Sequence, residues 1–69
     1  MTPIEQMAAA AQQHPKLTQE LMRLKFADRE RYVGKLKVAL EAEGKRDEIE
    51  TLFLINGHVE IMTQAQLRR

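Results

Sequence analysis

The sequence predicts an α+β fold, with two to three helices at about residues 3–13, 16–27 and 29–43 before a C-terminal β-hairpin. Apolar residues recur at helical spacing through the first two thirds of the chain, which favours helices there. Near the end, Asn56-Gly57 stands between two apolar runs, which favours a hairpin. The 69 residues are enough for one small domain, 1–69.

The first helix has clear start and stop signals. Thr2 is a suitable N-cap, Pro3 fits the first helical position, and Glu5 completes a capping box. Pro15 disfavours the helical conformation at the residue before it, so the helix should end near Gln13. We therefore expect this helix at about 3–13.

Two further apolar stripes follow, and they are out of phase. The first consists of Leu17, Leu21 and Leu24, and the second of Tyr32, Val33, Leu36, Ala39 and Leu40. At 100° per residue the stripes are offset by about a quarter turn, and Asp28 between them is a good N-cap. This predicts a break near 26–28, with a continuous bent helix as the alternative. Gly44 fits the position just after a helix end.

The predicted hairpin depends on a type I′ turn at Asn56-Gly57, because both central residues of such a turn need positive φ. Strands at about 51–55 and 58–63 would then pair. One face would hold Leu52, Leu54, Val59 and Ile61 with no polar residue, and the other would be mixed.

The same segment also fits an all-α alternative. Asp47 is an acceptable N-cap with Glu50 as its partner, and Gly57 fits the position after a helix end. That pattern predicts a helix at 48–56 and a short terminal strand at 58–63. The polar tail, 64–69, is expected to fray in either case.

Composition argues against most enzyme classes and against a membrane protein. The chain has no cysteine and no serine, and it contains no phosphate-binding or metalloprotease motif. His14 and His58 are far apart and have no cysteine partners, so we expect no metal site. A chain of 69 residues rarely encloses a ligand pocket, so we also expect no cofactor and no small-molecule substrate. The longest apolar run, Met7 to Ala11, has five residues, and the N-terminus has no secretory pattern. We therefore expect a cytoplasmic protein without enzymatic activity.

The leading functional prediction is a small module that binds another protein stoichiometrically, as a regulator, inhibitor or adaptor of the kind phages and other mobile elements encode. The mixed hairpin face combines apolar and polar side chains as the centre and edge of an interface do. Basic residues on the third helix would steer the partner. The predicted protein-binding residues are Phe53, Ile55, His58, Glu60, Met62, Arg31 and Lys35.

The alternative is a dimeric nucleic-acid-binding regulator that uses a basic surface. Residues 16–37 hold seven basic side chains against three acidic ones, whereas 41–50 carries a net charge of −3. The candidate residues are Arg23, Lys25, Arg29, Arg31, Lys35 and Lys37. In both interpretations we expect a homodimer, because a hairpin leaves free strand edges and a chain this small has a limited core.

Overall fold

The protein consists of helices throughout the region that the computed structural model describes, residues 1–67. The four α-helices are α1 (Pro3–Gln13), α2 (Pro15–Arg23), α3 (Phe26–Ala42) and α4 (Arg46–Leu67). No β-strand occurs in residues 1–67, so the predicted α+β class is wrong and the hairpin at 51–55 and 58–63 is absent. The alternative helix at 48–56 is present, but it continues to Leu67 in place of the predicted terminal strand. Of the predicted frayed end, 64–67 belongs to α4, and 68–69 lies outside the described residues.

The helical conformation of α4 has a simple explanation in its buried side chains. Leu52, Ile55 and Val59 follow one another at helical spacing, and all three are buried. Ile61, which the hairpin would have placed on the same apolar face, is exposed. A helix also pairs its interior backbone groups within itself, whereas a two-stranded hairpin leaves both of its edges unpaired.

Asn56 and Gly57 lie in the interior of α4 and form no turn. Gly57 costs the helix about 1 kcal/mol relative to alanine, and the Oδ1 atom of Asn56 is buried without a hydrogen-bond partner in the described residues. Gly57 has a packing role that accounts for part of this cost. A Cβ atom at this position would lie 3.0 Å from the Sδ atom of Met7. The absence of a side chain at Gly57 therefore leaves room for the Met7 side chain against α4.

Local sequence signals fix the ends of α1 and α3 as predicted. The Thr2 Oγ1 atom accepts a hydrogen bond from the Glu5 backbone N–H at 3.2 Å, and Pro3 is the first helical residue of α1. Gly44 has a φ of 72° after the last turn of α3. The Lys45 N–H donates to the Leu40 carbonyl at 3.0 Å, and the Gly44 N–H donates to Glu41, which together form a Schellman motif.

The break between the second and third helices lies earlier than predicted. α2 ends at Arg23, Lys25 is the N-cap of α3, and Asp28 lies in the first turn of α3, where it does not serve as the N-cap. The side chain of Arg29 holds this break in place. Its Nε atom donates to the Leu21 carbonyl at 3.0 Å and its Nη2 atom to the Leu24 carbonyl at 3.1 Å. These carbonyls belong to the end of α2, where helical partners are lacking.

α4 is the central element of the fold. α1, α2 and α3 each pack against it, and α1 also packs against α2. The buried core cluster consists of Ala10, Leu21, Val33, Leu52, Ile55 and Val59, half of which come from α4. The described chain measures 40 × 30 × 17 Å, so its shortest dimension is about that of two packed layers of helices. Several apolar side chains that pack against the core cluster are only partly buried, among them Leu17, Leu36 and Leu40.

Candidate functional site: an apolar groove between α2, α3 and α4

The predicted protein-binding residues of the C-terminal segment do not share a face. At 100° per residue, Phe53 and Glu60 lie on one side of α4, whereas His58 and Met62 lie on the other. Ile55 is fully buried in the core. Of this set, Phe53 and Met62 are exposed, while His58 and Glu60 are half-buried. The hairpin face that the alternation suggested is therefore not present as one surface.

The predicted basic residues on α3 do not all share one surface. Arg31 and Lys35 are exposed and line the same shallow hollow, where Arg31 forms an ion pair with Asp28 at 2.6 Å. The Nζ atom of Lys37 lies 5.9 Å from the centre of the Phe53 ring and 3.8 Å from a Glu41 carboxylate oxygen. Lys37 and Phe53 thus form a small contact between α3 and α4 that is separate from Arg31.

Arg29 is a structural residue and is unavailable for nucleic-acid binding. Its side chain is only 5 % exposed, and it is engaged with the carbonyls at the end of α2. Arg23 and Lys25 are exposed at the α2–α3 corner. Of the six candidate nucleic-acid residues, Arg29 is therefore excluded from any exposed basic surface, whereas the other five are exposed.

The most prominent concave feature is an open groove of about 420 Å³ between α2, α3 and the first half of α4. Its apolar lining consists of Leu17, Leu36, Ala39, Leu40, Leu52 and Ile55. Its polar lining consists of His14, Tyr32, Asp47, Glu48 and Thr51. This volume lies in the range of typical ligand clefts. The 69-residue chain does not enclose the space, because the groove is open to solvent.

The groove results from the way in which α2 and α3 are joined. Both helices pack against α4, but α2 has only nine residues and stops at Arg23. Near that corner the two helices are linked by Arg29 and by a hydrogen bond from the Tyr32 hydroxyl to Glu20. Farther along α3, the small side chain of Ala39 leaves space that neither α2 nor α4 fills. Leu17, Leu36 and Leu40, which face this space, remain only partly covered.

Most of the apolar groove residues were recognised from sequence, but as members of apolar helix stripes and not as members of a binding site. Leu17, Leu36, Ala39 and Leu40 belong to the two stripes described above. Of the groove residues, only Ile55 was a predicted site residue, and it contributes to the floor from within the core. The stripes alone do not reveal which of their members a neighbouring helix leaves uncovered.

The charged residues that line the groove are acidic. Asp47 and Glu48 lie in the first turn of α4, where negative charge favourably complements the helix dipole. Glu48 is 3.9 Å from the Lys45 ammonium, and Asp47 has no ion-pair partner among residues 1–67. No lysine or arginine lines the groove. One end of the groove is therefore apolar and flanked by negative charge.

Tyr32 forms one wall of the groove, and its hydroxyl is held by Glu20. The Tyr32 Oη atom donates to the Glu20 Oε2 atom at 2.9 Å. This hydrogen bond, with smaller contributions from desolvation and from the Glu20 charge, raises the pKa of Tyr32 above its ordinary value of 10.0. The bond fixes the ring between α2 and α3.

The raised pKa of Tyr32 predicts a spectroscopic result. Because the folded pKa exceeds 10.0, the hydrogen bond stabilises the fold below about pH 10 and its contribution is lost as the pH rises through the folded value. Tyr32 is the one tyrosine and the chain has no tryptophan, so ultraviolet absorbance reports its ionisation alone. We expect a midpoint above 10.0 in the native protein, and a midpoint near 10.0 in Glu20→Ala and in denaturant. Equal midpoints in native wild type and Glu20→Ala would contradict the bond.

The described part of the chain contains neither a cluster of metal ligands nor a membrane-spanning helix. Among residues 1–67, no three histidine, cysteine, aspartate or glutamate side chains are placed to hold a metal ion. None of the four helices combines the length and apolar character needed to cross a membrane.

The fold and the groove together define the class of the molecule: a small all-α domain with an open apolar cleft that is acidic at one end. Comparison of the chain with protein families, curated proteins and solved structures finds no match.

Proposed function

We propose that the protein is a small non-enzymatic binding module that takes apolar side chains of a partner protein into the groove between α2, α3 and α4. The single observation that carries this proposal is the groove itself, with its leucine and isoleucine floor and its tyrosine wall. Grooves between helices commonly accept the apolar face of an amphipathic segment. Such a module acts by occupancy, as a regulator, inhibitor or adaptor does.

The shape of the groove favours a protein segment over a small molecule. Sites for small molecules bury most of the ligand surface, whereas this groove is open to solvent along the helices. The absence of serine and cysteine from the chain also supports binding over nucleophilic catalysis. Among the candidate basic residues, Arg29 is buried and Arg31 is paired with Asp28, so they give weaker support to nucleic-acid binding.

The proposal is tested by filling the groove without touching the core. Ala39 lines the groove and is exposed, so Ala39→Trp should occupy the space and leave the fold intact. Val38→Trp is the matched control, because Val38 is 67 % exposed on α3 and does not line the groove. Circular dichroism should show the same helix content for both variants and wild type.

Binding is then measured with the tagged proteins in cell lysate, with and without nuclease treatment, followed by affinity measurement with the purified partner. We expect one partner to bind wild type and Val38→Trp equally and Ala39→Trp at least about tenfold more weakly, which corresponds to about 1.4 kcal/mol. Equal binding by all three proteins would place the interface elsewhere. Recovery of nucleic acid alone, lost after nuclease treatment, would overturn the proposal in favour of the basic surface.

A further inference from the structure

The corner between α2 and α3 is an exposed apolar and basic surface that the proposed function does not use. Phe26 is 55 % exposed and Met22 is 40 % exposed, although both are large apolar side chains. Arg23 and Lys25 lie between them in the chain, are exposed, and form no ion pair with residues 1–67. Aromatic residues, methionine and arginine are the types enriched in protein interfaces.

The corner and the groove have complementary chemistry. The groove provides an apolar floor with Asp47 and Glu48 at one end, and the corner provides an exposed phenyl ring beside two cations. Phe26 does not line the groove of its own chain, so both surfaces are available to another copy. Opposite charges at such a contact favour encounter and fix the orientation of the two molecules.

We infer that the α2–α3 corner of one copy docks in the groove of a second copy. In this arrangement Phe26 enters the apolar part of the groove, and Lys25 and Arg23 lie against Asp47 and Glu48. The inference rests on the proposed function, because it assigns a specific occupant to the same groove. It also implies that self-docking competes with binding of the partner.

The small core is consistent with self-association. The radius of gyration is 12.0 Å, compared with about 11 Å expected for a compact domain of this length. Small domains without disulfides or metals commonly gain stability by associating. The prediction of a homodimer from free strand edges no longer applies, because residues 1–67 contain no β-strand. The limited core remains as a reason to expect association.

The expected association is weak and sensitive to salt. One aromatic side chain and two cations bury much less than the roughly 1,200 Å² of a stable interface. Corner and groove are different surfaces, so a single contact is heterologous, and a closed pair forms only when both contacts are made at once. Screening by salt should weaken the charged part of the contact.

Sedimentation equilibrium tests the inference with the full chain from about 10 µM to about 1 mM, where weak interfaces associate. We expect the average mass of wild type to rise above the 8.0 kDa of the monomer as concentration increases. Phe26→Ala should weaken association at least about tenfold, because it removes the apolar anchor. Val38→Ala, the control at another exposed apolar position on α3, should associate as wild type does.

A charge exchange makes the test specific to these two surfaces. Lys25→Glu places like charges at the contact, and it suits the N-terminus of α3, so the variant should fold. Glu48→Lys also places like charges at the contact, because Glu48 lines the groove that Lys25 of the other copy faces. Each variant alone should associate at least about tenfold more weakly than wild type, because like charges then oppose each other. An equimolar mixture should associate as wild type does, since both contacts of the mixed pair join opposite charges.

The outcomes separate this inference from the proposed function. A wild type that stays at 8.0 kDa throughout overturns self-docking, and so does association that the charge exchange leaves unchanged. In either case, selective loss of partner binding by Ala39→Trp would leave the proposed function standing. If Ala39→Trp retains partner binding but loses self-association, the groove serves self-docking and the proposed function fails.

Discussion

Replacing Arg29 by alanine is expected to lower the free energy of unfolding by about 3 kcal/mol, because it removes charge-assisted hydrogen bonds and a buried side-chain stem. The guanidinium donates to the Leu21 and Leu24 carbonyls at the end of α2, and the side chain is 5 % exposed. A domain of this size has a total stability of only about 3–5 kcal/mol, so Arg29→Ala should be largely unfolded at 37 °C. Urea denaturation followed by circular dichroism measures the effect.

Two matched variants make this result interpretable. Arg23→Ala removes an exposed arginine six residues earlier and should change stability by less than about 0.5 kcal/mol. Arg29→Lys keeps the charge but lacks the planar fork that reaches both carbonyls, so its stability should be intermediate. A loss below about 1 kcal/mol in Arg29→Ala would mean that water replaces the guanidinium without cost.

Ile55→Ala is expected to destabilise the protein by about 3 kcal/mol, since truncating a buried isoleucine removes apolar burial and leaves a cavity. Ile55 is 0 % exposed and lies in the core cluster on α4. Phe53→Ala, two residues away, should cost less than about 1 kcal/mol, because Phe53 is 46 % exposed. Its ring lies 5.9 Å from the Lys37 ammonium, which is a weak contact at the surface. Thermal unfolding of the two variants under the same conditions gives the comparison.

This pair of variants also distinguishes the helix from the hairpin. In the predicted hairpin, Phe53 and Ile55 point to the same face and should respond alike to truncation. In α4 they are 200° apart around the helix, so one faces the core and the other solvent. Similar losses of stability for both variants would contradict the helical arrangement.

The parts of the fold that depend on neighbouring residues in the chain were predictable from sequence. Thr2 and Pro3 define the start of α1, Pro15 separates α1 from α2, and Gly44 ends α3. Each of these signals acts within a few residues, through a cap, a missing N–H or a left-handed φ. They do not require knowledge of what packs against the helix.

The conformation of 51–63 was not predictable in this way, because two periodicities coincide there. Leu52, Leu54, Val59 and Ile61 alternate as a strand pair would, whereas Leu52, Ile55 and Val59 recur as a helix face. The choice depends on distant contacts, such as the one between Met7 and Gly57. The role of Arg29 is likewise non-local, since it depends on where α2 ends. The groove was missed because its leucines resemble core residues until the length of α2 is known.

The central position of α4 has a consequence for the synthesis of the protein. α4 is the last of the four helices to leave the ribosome, yet α1, α2 and α3 all pack against it. At 5–20 residues per second, its 22 residues take roughly 1–4 s to be made. During that time Leu21 and Val33 lack the α4 side chains of their core, so the nascent chain presents apolar side chains to solvent or to chaperones. The core of this domain therefore closes only once α4 has been translated, although α1 and α2 can pack against each other before that.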